Sequence, residues 1–319
     1  MEPNTSVNSV SSIPGQLEGP VNLFKSAWAL FKANWKILIS IIVAPMALMY
    51  IGQIFLVTGN LIMIIFAFIL IIAGAIFSIP SQPAIINAIH RLSTEPGVKI
   101  DFKEQYKFGF ELFWSLILLM IITFCVSLGS LFLLAIPGII VVVYTRMYLI
   151  SLTLDGKKGV EALVESYSLI KGRWWRVLGR LLFLILVYLV GAIVVFGIAF
   201  VVKSLLSIAS DSTGEAVLSI ILTLAYSAVL GPLVTVYIYR LYVSLKATRL
   251  SNVNTAGFKK WLIAFLIVGI VIFILIPLIS LGVIIALSKA RVAENPFNRA
   301  NNPYVSSYDV ESNILTTPK

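Results

Sequence analysis

Arg146 is the residue whose type and position most clearly invite chemistry, because it lies near the middle of a short apolar stretch. A cation at the centre of a membrane helix costs about 3 kcal/mol on insertion scales, so its presence asks for a reason. Two uses fit. It is an interior cation that binds an anionic group or steadies a bend between helices, or it snorkels to the interface towards Asp155, Glu161 or Glu165. Arg240 sits nearer the charged end of its own apolar stretch, where snorkelling is the simpler account. Gln82 and Asn87 stand beside Pro80 and Pro83 and would either line a polar path or bond to a neighbouring helix.

A second group, Lys171, Arg173, Trp174, Trp175 and Arg176, with Arg180 one turn on, has the composition of a lipid-headgroup contact. Basic and indole side chains together suit the anionic interface of a bilayer, and they equally form a topology-setting aromatic belt. Basic charge beside an apolar span is no sign of nucleic acid, so none is expected as a partner. Ser166 has no base near it in sequence, His90 is the only histidine, and Cys125 is the only cysteine. Paired intramembrane carboxylates, clustered metal ligands and glycine-rich phosphate loops are missing from the pattern. No catalytic, cofactor-binding or metal-ligating residue is assigned, and a non-enzymatic protein is expected.

What must position these side chains is a membrane. The chain is 59% hydrophobic and 12% charged, about half the charge of an ordinary soluble domain, so most of its exterior has to face lipid. About seven stretches reach the roughly 20 residues that cross a hydrocarbon core. They are 37–57, 61–79, 112–136, 138–154, 177–202, 216–245 and 261–287. Each must satisfy its own backbone, which makes an all-α polytopic helical bundle the expected fold. Residues 1–20 and 292–319 read as disordered tails flanking a membrane domain at 21–291. Thr58-Gly59-Asn60 and Ala135-Ile136-Pro137-Gly138 read as tight hairpin turns.

Orientation follows from charge. With the N-terminus in the cytoplasm, the inner segments hold Lys25, Lys32 and Lys36; Arg91, Lys99, Lys103 and Lys107; Lys157, Lys158 and the Lys171–Arg180 group; and Arg240, Lys246, Arg249, Lys259 and Lys260. The outer segments hold Lys203 and the basic residues of the C-terminal tail, a positive-inside pattern. A bacterial-type plasma membrane and an external C-terminus are expected. The last stretch, interrupted by Pro277, reads as one tilted or kinked span, with a re-entrant hairpin as the other option.

An internal echo organises the spans. Trp28-Ala29-Leu30-Phe31-Lys32-Ala33-Asn34-Trp35 aligns without a gap to Tyr167-Ser168-Leu169-Ile170-Lys171-Gly172-Arg173-Trp174, and Tyr106 to Phe113 is a weaker relative. Each box predicts an amphipathic helix lying in the interface before a span. Arg146-Met147-Tyr148-Leu149 likewise echoes Arg240-Leu241-Tyr242-Val243. Interfacial helix, span, hairpin, span is therefore a candidate unit, repeated three times with a final span appended; low-complexity apolar sequence also produces such matches by chance.

Leu133-Leu134-Ala135-Ile136-Pro137-Gly138-Ile139-Ile140, followed by the segment 159–178 with its Glu161-Ala162-Leu163, Ser168-Leu169 and Lys171-Gly172 elements, resembles the glycerophosphoryl diester phosphodiesterase membrane-domain family and related multi-pass bacterial proteins. The likeness is best over about 102–250. It implies a membrane module only. In that family's enzymes the hydrolase is a separate soluble domain using histidines, carboxylates and a divalent metal, and no such residue can be placed on this chain. The leading expectation is a non-enzymatic protein working through helix packing and contact with lipids, notably anionic headgroups, or with partner proteins. The alternative is a transporter or lipid-handling permease for an anionic solute or headgroup, built around Arg146 and the proline-broken helices.

Overall fold

The computed structural model of the chain describes residues 17–56, 60–95, 97–133, 135–205, 213–249 and 253–293. Of the expected tails at 1–20 and 292–319, residues 1–16 and 294–319 lie outside the described residues, as do residues 58 and 59 of the first hairpin turn. Pro20 instead opens a helix, residues 292 and 293 end one, and the second expected turn, 135–138, is helical. Among the described residues the structure is all helix: α1 Pro20–Leu56, α2 Leu61–Thr94, α3 Phe102–Glu111, α4 Phe113–Leu133, α5 Ala135–Thr145, α6 Tyr148–Asp155, α7 Val160–Ile170, α8 Trp174–Leu205, α9 Thr213–Ala247 and α10 Ala256–Ala293. Seven segments among them are long and apolar enough to span a membrane, including Gly138–Asp155, which runs through α5 and α6. Long aliphatic side chains stay exposed along these helices, for example Ile62 at 73%, Phe196 at 73% and Ile284 at 62%, as expected of surfaces solvated by lipid tails rather than water.

Three helices begin in the same way. In α1 the backbone departs from helical geometry at Asn34 (φ −128°, ψ 21°), dividing a segment ending at Ala33 from the span that starts at Trp35. α3 ends at Glu111, and α4 starts at Phe113 after a cap at Leu112. α7 ends at Ile170, and α8 starts at Trp174 after a turn through Gly172, whose φ of 80° suits glycine. The three short helices bury corresponding faces: Ala27 and Phe31, Gln105 and Gly109, Ser166 and Ile170. Lys25 and Lys32, and Lys103 and Lys107, stay exposed. The sequence boxes thus mark a shared local design of short helix, break and aromatic span start.

The bends need partners for the carbonyls they free. Pro45 cannot donate to Ile41, four residues back, and the Tyr106 hydroxyl of α3 donates to the Ile41 carbonyl at 2.7 Å instead. Burial presses the Tyr106 phenol up to about 12. The fourth span differs from the single helix that its apolar run suggests. It breaks at Arg146 and Met147, between α5 and α6. The Thr145 hydroxyl turns back on the Val141 carbonyl at 3.0 Å, a bond that favours bending. The last stretch forms one helix through Pro277, with no re-entrant turn.

Two apolar cores result. One gathers α1, α2, α8 and α9 with Tyr106, Val143, Met147, Ile150, Leu169 and Ile170. The other joins α4, α7 and α10 with Val141 and Leu152. The segment α5–α7 contributes to both. In the second core α4 and α10 meet at Gly129 and Gly269, where a Cβ on either would collide with the carbonyl of Phe265 or Cys125. Close backbone approach at small residues is how membrane helices pack without a hydrophobic driving force. Gly129→Ala and Gly269→Ala should each destabilise the protein by about 1–3 kcal/mol through overpacking, read as a lowered melting temperature in detergent. An unchanged melting temperature for both would contradict this contact.

Candidate functional site

The break in the fourth span is built from α7. Ser166 is fully buried, and its hydroxyl does two things at once: it accepts the Met147 N–H at 3.0 Å and donates to the Tyr144 carbonyl at 2.7 Å. Both backbone groups would otherwise be unpaired in an apolar setting. Ser166 therefore replaces the missing turn of helix. With the backbone held there, Met147 points inward at 0% exposure, and Arg146 points outward and is exposed.

Arg146 lines a groove of about 660 Å³ between α4 and α5 on one side and α8 on the other. Apart from Ser127 and Gly138 its other walls are aliphatic or aromatic, among them Phe124, Leu128, Ile139, Val142, Leu178 and Ile185. Phe124, Ile139 and Ile185 are more than half exposed and Val142 nearly so, so the groove opens on the outer surface of the bundle, not into an enclosed channel. Among the described residues the Arg146 side chain has neither a hydrogen bond nor an ion pair; its backbone N–H donates to the Val143 carbonyl at 3.2 Å. Of the three intramembrane candidates it is the only one on this groove; Gln82 and Arg240 do not line it. Arg240 is half-buried in α9 with its Nε unpartnered, and Gln82 is half-buried in α2. Asn87 donates to Gln105 at 2.9 Å, the ordinary interhelical bond.

The groove continues towards the start of α8. A neighbouring hollow of about 510 Å³ shares Ile139 and Leu178 with it and adds Ile140, Tyr144, Trp174 and Trp175. A third, of about 410 Å³, shares Tyr144, Trp174 and Trp175 with that one and adds Gly172, Arg173 and Arg176. The shared walls join them into one crevice with a basic, aromatic mouth.

The structure divides the basic cluster at that mouth. Arg173, 8% exposed, donates to the side chain and carbonyl of Thr248. Burial, and secondarily the Arg176 charge, lower its pKa. Lys171 donates to the Asn254 carbonyl at 2.9 Å and lies over the Tyr167 ring. Arg180 is turned inward onto the carbonyls of Leu17 and Glu18. That leaves Arg176 and Trp175 exposed, Trp175 at 77%. The Trp174 indole N–H is buried with no acceptor.

Sequence reasoning missed Ser166 as a structural clamp and Asp155 as an anchor that accepts from Tyr242 and pairs with Lys246. The available signal for Ser166 was a hydroxyl immediately before the box, where the first unit has Ala27. His90, too, is engaged, its Nδ1 2.9 Å from the Tyr239 hydroxyl. Ser166→Ala should destabilise the protein by about 1–3 kcal/mol, because it strips the Met147 N–H of its acceptor. Thermal unfolding in detergent checks this, with Ser168→Ala, whose hydroxyl bonds only within its own helix and to Arg249, as the milder comparison.

No curated protein and no solved structure matches the chain. Residues 55–245, more than half of the chain and the whole of the crevice with its Ser166 clamp, match the model of a family described as a domain of unknown function, DUF7847, and the chain belongs to that family.

Proposed function

We propose that this is a non-enzymatic multi-pass protein of the cell membrane that acts through helix packing and through contact with lipid, its anionic headgroups above all. The observation that carries the reading is the division of labour among the polar side chains. Those with catalytic potential are engaged in holding the fold: Ser166 on the broken span, His90 on Tyr239, Arg173 on Thr248. Arg146, Arg176 and Trp175 are exposed where a bilayer and its interface would lie. The resemblance read in the sequence to the glycerophosphoryl diester phosphodiesterase membrane domains would imply a membrane module of this kind, without the hydrolase; the family model that matches carries no such description. The distribution of lysine and arginine supports a cytoplasmic N-terminus, and the unbroken α10 supports an external C-terminus.

The permease reading makes a different prediction about Arg146. In liposomes containing the purified protein, efflux of phosphate or glutamate and transbilayer movement of a fluorescent phosphatidylglycerol should match those of protein-free vesicles. Flux above that baseline that disappears in Arg146→Ala would overturn the proposal and establish a transporter.

A further inference from the structure

Resting on the lipid-contact reading, we propose that the crevice between α5 and α8 is a defined binding site for one anionic glycerophospholipid. Its phosphate sits at the Trp174–Arg176 mouth, and its acyl chains lie along Leu178 and Ile139 into the groove that Arg146 lines.

Three independent features point to that occupant. The groove is apolar and open to the bilayer, and its volume of about 660 Å³ falls within the roughly 300–1,000 Å³ of small-molecule sites. Water is a poor filler for such a surface, and acyl chains are the apolar matter at hand. Next, the Arg146 side chain is an exposed guanidinium on a mostly apolar wall, without a partner among the described residues. A charge facing hydrocarbon is costly, and in that medium its attraction for the lipid's one anion, the phosphate at the mouth, is little screened. Finally, the mouth offers donors to a phosphate: the exposed Arg176 and the buried, unpartnered indole N–H of Trp174. Basic pockets between membrane helices on the cytoplasmic side are a known form of headgroup recognition. A zwitterionic lipid would bring a choline to the mouth against two cations, Arg173 and Arg176, and is disfavoured by like charge.

The site also explains why the two cores part here. α8 packs chiefly on α9, and the gap between α8 and α5 has a buried floor at Val143 and Leu184 and exposed rims at Ile139, Leu182 and Ile185. A lipid molecule seated there would close the gap, acting as part of the packing.

Native mass spectrometry of the full chain released from nanodiscs of equal palmitoyl-oleoyl phosphatidylglycerol and phosphatidylcholine tests this. One phosphatidylglycerol should be retained per chain in preference to phosphatidylcholine. Arg176→Gln should lower the retained fraction about tenfold, the effect of losing a charge-assisted contact, and Arg146→Gln by a smaller factor of about two to five, the effect of losing an attraction at a distance. Trp174→Phe, which keeps the ring but removes the N–H, should lower it by a smaller factor, and Ile139→Trp, which fills the groove, should abolish it. Variants that elute as wild type in size exclusion are compared, and Trp174→Phe keeps the comparison possible if an arginine variant does not fold. Equal retention of the two lipids, no retained lipid, or retention unchanged in the folded variants would overturn the site. None of these outcomes touches the broader reading, which fails instead on Arg146-dependent flux.

Discussion

A hydrocarbon environment offers no hydrogen-bond partner, so each departure from helical geometry must be matched by a group of the protein itself. Two departures in this chain are met in the same manner. The carbonyl freed by Pro45 in α1 receives the Tyr106 hydroxyl from α3, and the break after α5 receives the Ser166 hydroxyl from α7. In both cases a short helix supplies the donor to a bend in the spans that precede it in the chain. These helices are therefore more than interfacial floats. They are inserted parts of the fold, and α7 is buried along most of one side.

The outward Arg146 follows ordinary helical phase: it lies four residues after Val142 and seven after Ile139, which also face outward, and Met147 lies four after the buried Val143. The clamp holds the backbone of the break itself, pairing the Met147 N–H and the Tyr144 carbonyl. The polar bonds at this end of the bundle fix the neighbouring elements: Arg91 with Glu104 at 2.8 Å, Lys246 with Asp155, and Arg249 with Glu165 at 2.9 Å. Exposed pairs of this kind contribute only about 0–1 kcal/mol each. Their value lies in setting where α3, α6 and α7 sit, and with them the mouth of the crevice.

Much of this was legible in the residues. Hydropathy alone located the spans, because the hydrocarbon thickness is a length that the chain must meet. The aromatic-lysine boxes marked the short helices, since interface chemistry is local. What stayed hidden was long-range pairing. Nothing in the run 159–170 says that Ser166 meets Tyr144 and Met147, or that Arg173 turns to Thr248 and Arg180 to the carbonyls of Leu17 and Glu18. Composition grouped Lys171, Arg173 and Arg176 as one surface, and only tertiary structure distinguishes the buried member from the exposed one. Arg146, Gln82 and Arg240 were likewise similar in kind yet do not converge, because they lie on α2, the α5–α6 break and α9.

The account stands on Arg146 and its wall facing lipid. The direct measurement is spin-label accessibility in proteoliposomes, with single labels replacing Val142 and Arg146 in turn on a Cys125→Ser background. The account predicts that both labels collide far more with dissolved oxygen, which concentrates in hydrocarbon, than with a water-soluble nickel chelate. Dominant chelate access would mean a water-filled path, and protection from both reagents would mean a packed interior; either would contradict it.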